Sequence, residues 1–255
     1  MSRNLPKDSM YATAAGYYDT IYETLKDYRK ESKEIKEIIE LHKKSDGKKL
    51  LDVACGTGQH AFFLRKFFKV EGLDVQPEML AVARRRNPGV TFHKGDMRSF
   101  KLPKKFDAVT CLFSSIGYVK TLTGLRTAVQ NMVDHLEPGG VIIVEPWLTP
   151  KTFKRRHVGG VYVNQPVLKI ARINSSKVKG RVSRLDFHYL VGTPRGVRHF
   201  ITQERLGLFS LREYLDAFRR SGVQLTYDRD GLMGRGLFIG VKPLNVPTPS
   251  SHPLK

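Results

Sequence analysis

The sequence predicts an α/β fold built on a parallel sheet, and three observations predict it. Apolar runs alternate with helical periodicity from Glu31 to Glu145, a glycine turn (Gly56-Thr57-Gly58) joins the first run to the helix after it, and beyond Trp147 the rhythm changes to period two. Strands separated by helices pair in parallel through crossovers, whereas consecutive period-two runs pair as antiparallel neighbours.

Residues 11–28 hold five tyrosines (Tyr11, Tyr17, Tyr18, Tyr22 and Tyr28) among small and charged residues, and residues 1–30 are expected to form a lid. From Glu31 to Lys44, Ile35, Ile38, Ile39 and Leu41 recur at helical spacing among charges, which predicts an amphipathic helix stopped by Gly47. Leu50 to Cys55 reads as the first strand, and His60 to Phe68 as a helix with Phe63, Leu64, Phe67 and Phe68 facing inward. Val70 to Leu73 is the second strand, ending at Asp74, and Pro77 to Arg86 a helix opened by a proline suited to its first turn. Val90 to His93 and Phe106 to Phe113 are further strands, Thr123 to His135 a helix, and Val141 to Glu145 a fifth strand entered through a Pro138-Gly139-Gly140 turn.

Residues 148–208 read as an antiparallel insertion, with runs at Val161–Val163, Val167–Ile173, Arg184–Val191 and Arg198–Leu206. Ser210 to Ser221 returns as a helix, and Val223–Asp228 with Gly236–Val241 closes the sheet as a hairpin-like pair. The expected organisation is a Rossmann-like domain over residues 31–147 and 209–243, interrupted by the insertion and followed by a disordered proline-rich tail over 244–255.

A chain of 255 residues, 40% of them hydrophobic, can bury a core of this size in one domain. No run approaches the roughly 18 apolar residues that span a bilayer, and the first ten residues lack a signal-peptide core, so a cytoplasmic protein without membrane partners is expected. Cys55 and Cys111 read as reduced packing residues, and no His/Cys/Asp spacing suggests a metal cage. The 44 Lys and Arg against 24 Asp and Glu leave a net charge of +20, a field that attracts polyanions. The basic residues are dispersed and no aromatic-basic stacking platform accompanies them, so nucleic acid is a possible partner but not the favoured one.

Asp52-Val53-Ala54-Cys55-Gly56-Thr57-Gly58 carries the most chemistry, because glycine between strand and helix lets a ligand approach backbone that a Cβ would block. The same string satisfies a dinucleotide fingerprint, and Asp74 suits a ribose in either case. Two acids favour S-adenosylmethionine over a nicotinamide cofactor. Asp52 would repel a pyrophosphate but attract a cationic amino-acid end, and Asp96 of Gly95-Asp96-Met97 can accept an adenine amino group while Met97 packs on the base. Against these stand ordinary roles, a helix cap for a lone Asp and plain core for Phe113, which otherwise would cover the adenine.

With Gly72-Leu73-Asp74, Met79-Leu80, Gly95-Asp96-Met97-Arg98, Phe113-Ser114-Ser115-Ile116-Gly117-Tyr118, His135 to Gly140 and Glu145-Pro146-Trp147 added, the chain resembles the TDP-aminosugar N,N-dimethyltransferases of desosamine and mycaminose pathways. Tyr18-Asp19, Lys26-Asp27-Tyr28, Ala171-Arg172, Ser175-Ser176, Gly196 to Phe200 and Gly234 to Phe238 extend the likeness over nearly the whole chain. The resemblance implies a seven-stranded, Rossmann-like class I methyltransferase that transfers a methyl group from S-adenosylmethionine to the amine of a nucleotide-linked sugar, mostly by proximity. It also implies that Ala54, Gly56, Gly58, Met79 and Tyr28 belong with Asp52, Asp74, Asp96, Met97 and Phe113 around the methyl donor. Tyr22 and Tyr118 would lie near the substrate amine, and Trp147, Arg172, Ser175, Ser176 and Arg235 would contact the nucleotide-sugar. Lys154-Arg155-Arg156-His157 departs from the family by its charge. An RNA or another small amine as acceptor, or a non-enzymatic binder of the nucleoside, are the alternatives, and the chain is expected as a monomer or homodimer.

Overall fold

The computed structural model describes residues 16–244, so Tyr11 and the proline-rich tail from residue 245 lie outside it. Seven strands form one sheet in the order β10-β11-β5-β4-β1-β2-β3. They are β1 (Lys49–Val53), β2 (Lys69–Asp74), β3 (Thr91–Lys94), β4 (Phe106–Cys111), β5 (Leu136–Val144), β10 (Gln224–Asp228) and β11 (Leu237–Val241). The first five pair in parallel, and β11 enters antiparallel between β5 and β10. Such a sheet is buried on both faces because its crossover helices cover them.

The pleat decides which residues meet which helices. Leu51, Val53, Val109, Cys111, Ile142 and Val144 face one core, shared with α5 (Leu122–Asp134) and α6 (Leu211–Arg220). Leu50, Ala108, Val141 and Ile143 face the other, shared with α2 (Tyr28–His42), α3 (Gln59–Leu64) and α4 (Pro77–Arg86). A short helix α1 over residues 16–22 precedes these.

Several boundaries differ from expectation. Helix α2 starts at Tyr28, where the Asp27 side chain accepts from the Lys30 N–H, and ends with the Lys43 N–H donating to Ile39, short of Gly47. Helix α3 stops at Leu64, which leaves Phe63 half-buried and Phe67 exposed instead of inward. Strand β4 ends at Cys111, because Phe113 and Ser114 adopt left-handed backbone with φ 52° and 62°. Strand β5 runs through Pro138-Gly139-Gly140, absorbing them where its register with β4 shifts between Phe106 and Ala108.

A second, four-stranded antiparallel sheet lies between β5 and α6 in sequence, in the order β6 (Val158–Gln165), β7 (Leu168–Lys179), β8 (Val182–Thr193), β9 (Gly196–Gly207). Two-residue connections join each pair, as their length suits hairpins. Val163, Ile170, Phe187, Tyr189 and Val191 on its inner face pack with Ile21 of α1, so α1 is held between this sheet and the mouth of the larger one. Tyr162, Leu190 and Val197 leave the outer face apolar and exposed. No helix among the described residues is long and apolar enough to cross a membrane.

Candidate active site

Past the ends of β1 and β2 the chain turns into helices α3 and α4, past β3 it turns through a loop to β4, and the backbone there opens a cavity of about 1070 Å³ that continues to the inner face of the four-stranded sheet. Ala54, Phe113, Ser114 and Lys120 line it with φ between 52° and 62°. Side chains held in that region cost about 1–3 kcal/mol each, and such strain concentrates where a ligand is clamped.

The two glycines of the turn do different work. Gly56, at φ 55°, lines the cavity, and a Cβ built on it would meet nothing within 4 Å, so its bareness leaves room on the ligand side. Gly58, at φ 73°, stands off the cavity, and a Cβ there would fall 2.7 Å from Asn87 Nδ2 and 3.1 Å from Ala83 Cβ. It is glycine so that α3 and α4 can approach. Asp74 Oδ2 accepts from the Gly56 N–H at 2.8 Å and Oδ1 from the Gln76 N–H at 2.8 Å. Burial raises its pKa against these two donors. It also lines the cavity, so a turn-making role and a ligand role fall on the same side chain.

Asp96, Met97, Met79 and Ala54 line the same end. Asp96 is tied to Arg98, whose Nη2 lies 2.5 Å from Oδ2, and those hydrogen bonds hold its carboxyl below the usual range. Asp52 does not line the cavity. On the Leu50 side of β1 it is 2% exposed, with Oδ1 accepting from Thr110 Oγ1 at 2.9 Å and Oδ2 without a partner. Burial pushes its pKa up to about 7 despite the Thr110 donor.

Tyr28 also stands behind the cavity, edge-on to His60. Beneath it lies a group that periodicity and spacing do not single out. The Lys26 ammonium, with a side chain 1% exposed, sits 2.8 Å from Glu31 Oε2, 3.9 Å above the Phe113 ring and 4.6 Å from that of Tyr28. His60 Nε2 donates to the same Glu31 oxygen at 2.9 Å. Burial lowers the pKa of Lys26 and of His60, and the two partners hold Glu31 low. Helix α1 is pinned over this corner by Asp19, which accepts from Thr57 Oγ1 and Arg86 Nη2, both at 2.6 Å.

At the other end Tyr22 packs edge-on against Phe113, and Arg172 lies between the Tyr22 and Phe187 rings, 4.9 Å and 4.8 Å from their centroids. Arg172 is 5% exposed, its Nε has no partner, and no carboxylate pairs with it among the described residues. Arg235 donates to Ser114 Oγ at 2.8 Å and lies over Trp147, whose indole N–H donates to Ser183 Oγ. Tyr118 lines the cavity and donates to Glu204 Oε2 at 2.7 Å.

Strand parity separates the serine pair. Arg172, Asn174 and Ser176 line the cavity from one face of β7, and Ser175 points to the opposite face. Ser176 Oγ donates to the Lys154 carbonyl and accepts from the His157 N–H, which fixes the basic loop at the cavity mouth. Asn174 is the lining residue that a two-residue step from Arg172 could have found. Glu204 and Tyr189 carry no local signal, since only the pairing of β8, β9 and the 3-10 helix Ser115–Val119 brings them in.

A family model described as a methyltransferase domain matches residues 50–140. The chain is 42% identical over 230 residues to dTDP-3-amino-3,4,6-trideoxy-alpha-D-glucopyranose N,N-dimethyltransferase of Streptomyces venezuelae, covering 89% of this chain and 97% of that one. It is 38% identical over 239 residues to dTDP-3-amino-3,6-dideoxy-alpha-D-glucopyranose N,N-dimethyltransferase of Streptomyces fradiae, covering 92% and 93%. The crystal structure of Streptomyces venezuelae DesVI superposes with a TM-score of 0.86 at 42% identity, over 89% of this chain and 98% of that one. CalS10 of Micromonospora echinaspora, an amino pentose methyltransferase bound to SAM, superposes at 0.82 with 40% identity, over 88% and 96%. Likeness at this level runs through both sheets and the cavity between them, and the chain belongs to the TDP-aminosugar N,N-dimethyltransferase family.

Proposed function

We propose that this protein is an S-adenosylmethionine-dependent N-methyltransferase acting on the amine of a nucleotide-linked amino sugar, with the donor at the Asp74 end of the cavity and the acceptor against the four-stranded sheet. One observation carries the acceptor class. Arg172 is a buried guanidinium with no carboxylate beside it among the described residues, facing a cavity too large for the donor alone. A buried cation is costly unless paired, and guanidinium suits the oxygens of a diphosphate.

The donor end suits the nucleoside by its own features: the room beside Gly56, the carboxylate of Asp74 at the cavity wall, that of Asp96 held in place by Arg98, and the apolar surfaces of Phe113, Met79 and Met97. When bound, S-adenosylmethionine supplies an electrophilic methyl group on a sulfonium. Asp52 and Tyr28 act from behind, Asp52 as a buried acid under the turn and Tyr28 as packing for the Lys26–Glu31–His60 cluster. On the acceptor side Trp147 and Arg235 form one wall and Arg172, Asn174 and Ser176 the other, with Tyr22 and Tyr118 between the two ends. Residues 148–208 thus serve as the acceptor module, and residues 16–30 as a cover tied down by Asp19. Holding two ligands end to end in one cavity removes much of the entropic barrier to transfer. Two free thiols suit the reducing cytoplasm as the place of work.

Mass spectrometry of dTDP-3-amino sugars incubated with the protein and S-adenosylmethionine tests this. A gain of one or two methyl masses is expected; methylation of RNA or of free amines with no change in the sugar nucleotides overturns it.

A further inference from the structure

The four-stranded sheet contains two acids, Asp186 and Glu204, and they are treated differently. Asp186 is compensated by Arg184 at 2.7 Å, Gln203 at 2.8 Å and Lys177 at 3.8 Å. Glu204 lines the cavity from β9 beside Thr202 and Leu206, and its Oε2 accepts only the Tyr118 hydroxyl among the described residues. Its Oε1 makes no hydrogen bond there, and no basic side chain among the described residues pairs with it. In a chain of net charge +20, a carboxylate left without a cation inside a ligand cavity is arranged to receive one from outside.

Resting on the acceptor class proposed above, we propose that Glu204 with Tyr118 holds the acceptor's ammonium and removes the proton that must leave nitrogen before it can attack. An alkyl amine is mostly protonated at neutral pH, and an ammonium has no lone pair to offer. In the relay, an N–H bond of the ammonium breaks and its electron pair stays on nitrogen, while the proton goes to the Tyr118 oxygen. The hydroxyl proton of Tyr118 passes in the same event to Glu204 Oε2, so the phenol never becomes a phenolate. The freed pair forms the N–C bond as the methyl carbon–sulfur bond breaks, with that bonding pair going to sulfur, and Glu204 later gives its proton to solvent. The ionisable groups facing Glu204 are compatible with such a relay, being Tyr118 and Lys120 from the 3-10 segment, Tyr18 from α1 and Tyr189 from β8. Burial raises the Glu204 pKa against the Tyr118 hydrogen bond and the field of Lys120, which strengthens it as a base near neutrality. Although Tyr118 is 47% exposed, desolvation of its hydroxyl at the cavity wall and the Glu204 carboxylate beside it raise its pKa, and it therefore serves as a relay and not as a resting base.

The test uses the full chain, S-adenosylmethionine and the amino-sugar nucleotide named for the Streptomyces venezuelae relative, with turnover followed from about pH 6 to pH 10. Glu204→Gln keeps the hydrogen bond from Tyr118 but cannot take its proton. It is expected to lower kcat about 100-fold at pH 7. The deficit should narrow to below about tenfold near pH 10, where solvent has already deprotonated the amine. Glu204→Asp should recover part of the loss, and Tyr118→Phe combined with Glu204→Gln should be no worse than either alone. In calorimetry on the adenosylhomocysteine complex, the wild type should prefer the amino-sugar nucleotide over dTDP-glucose about tenfold, as an ion pair would give, and Glu204→Gln should erase that preference. Unchanged adenosylhomocysteine affinity shows that the variant is folded. A Glu204→Gln pH profile parallel to the wild type, with kcat within about threefold, overturns the role of Glu204 alone. Failure of the wild type to methylate any amino-sugar nucleotide overturns the acceptor class, and the role of Glu204 with it.

Discussion

Asp52 shows how one side chain can matter to a site that it does not touch. Parallel pairing sets Asp52 beside Thr110, and burial leaves its second oxygen without a donor, so the proton is held to about pH 7, against an ordinary value of 3.8. A raised acid binds a proton in the folded state that the unfolded chain has lost, so folding stability falls as pH rises from about 4 to about 7 and stays depressed above. At about 1.36 kcal/mol per pKa unit, the penalty is of order 4 kcal/mol at most. Asp52→Asn keeps an acceptor for Thr110 and removes the penalty. Its melting temperature is expected to exceed the wild type at pH 8 and to match it at pH 4.5, as differential scanning fluorimetry in two buffers would read. A variant melting lower at both values would show that the ionised carboxylate is stabilised by something that the geometry omits.

At the scale of elements, period and pleat decide function as much as identity does. The four long strands and the order of helices are legible in the sequence because apolar spacing of 2 or 3.6 is local, and helix α4 is placed to its ends by Pro77 and the charged run that closes it. The same spacing overextends helix α3, because Phe67 and Phe68 continue an apolar run although the chain there is already turning back to β2. The donor half of the cavity is legible too, since Asp74 closes β2 and Ala54, Gly56, Asp96 and Met97 come just after the ends of β1 and β3. Lys26 and Glu204 are not, because Phe113 and Tyr118, which they meet, come from elements far off in sequence, whereas Asn174 follows from Arg172 by strand parity. The serine pair gives the cleanest test. Ser176→Ala removes two hydrogen bonds that hold the Lys154–His157 loop, worth about 1 kcal/mol each, and should raise the acceptor KM roughly tenfold with kcat little changed. Ser175→Ala, on the far face of the same strand, should leave both within about twofold. Equal effects would mean that β7 presents its other face to the acceptor.

Across the whole molecule, the +20 charge must be reconciled with a small-molecule acceptor. Lys154, Arg172 and Arg235 border the acceptor side of the cavity, where Glu204 is the one acid among the described lining residues, whereas Asp74, Glu78 and Asp96 stand at the donor end with Arg98 paired to the last, so the field is graded along the ligand path and not uniform. A diphosphate gains from such a gradient both in encounter and in orientation, and a donor carrying net positive charge gains nothing from the basic mouth. Screening separates the two. Raising salt from about 0.1 M to about 1 M shortens the Debye length from ~10 Å to ~3 Å, which weakens the exposed charges at the mouth and leaves buried Arg172 largely unscreened. The acceptor KM is therefore expected to rise about fivefold over that range, the donor KM to change by less than about twofold, and kcat to hold. RNA drawn to the surface by charge alone should be lost over the same range, since its affinity falls with a power of salt set by the number of phosphates contacted. Were RNA retained near 1 M salt while the acceptor KM stayed flat, the basic surface would belong to a polynucleotide and the gradient would have no part in sugar binding.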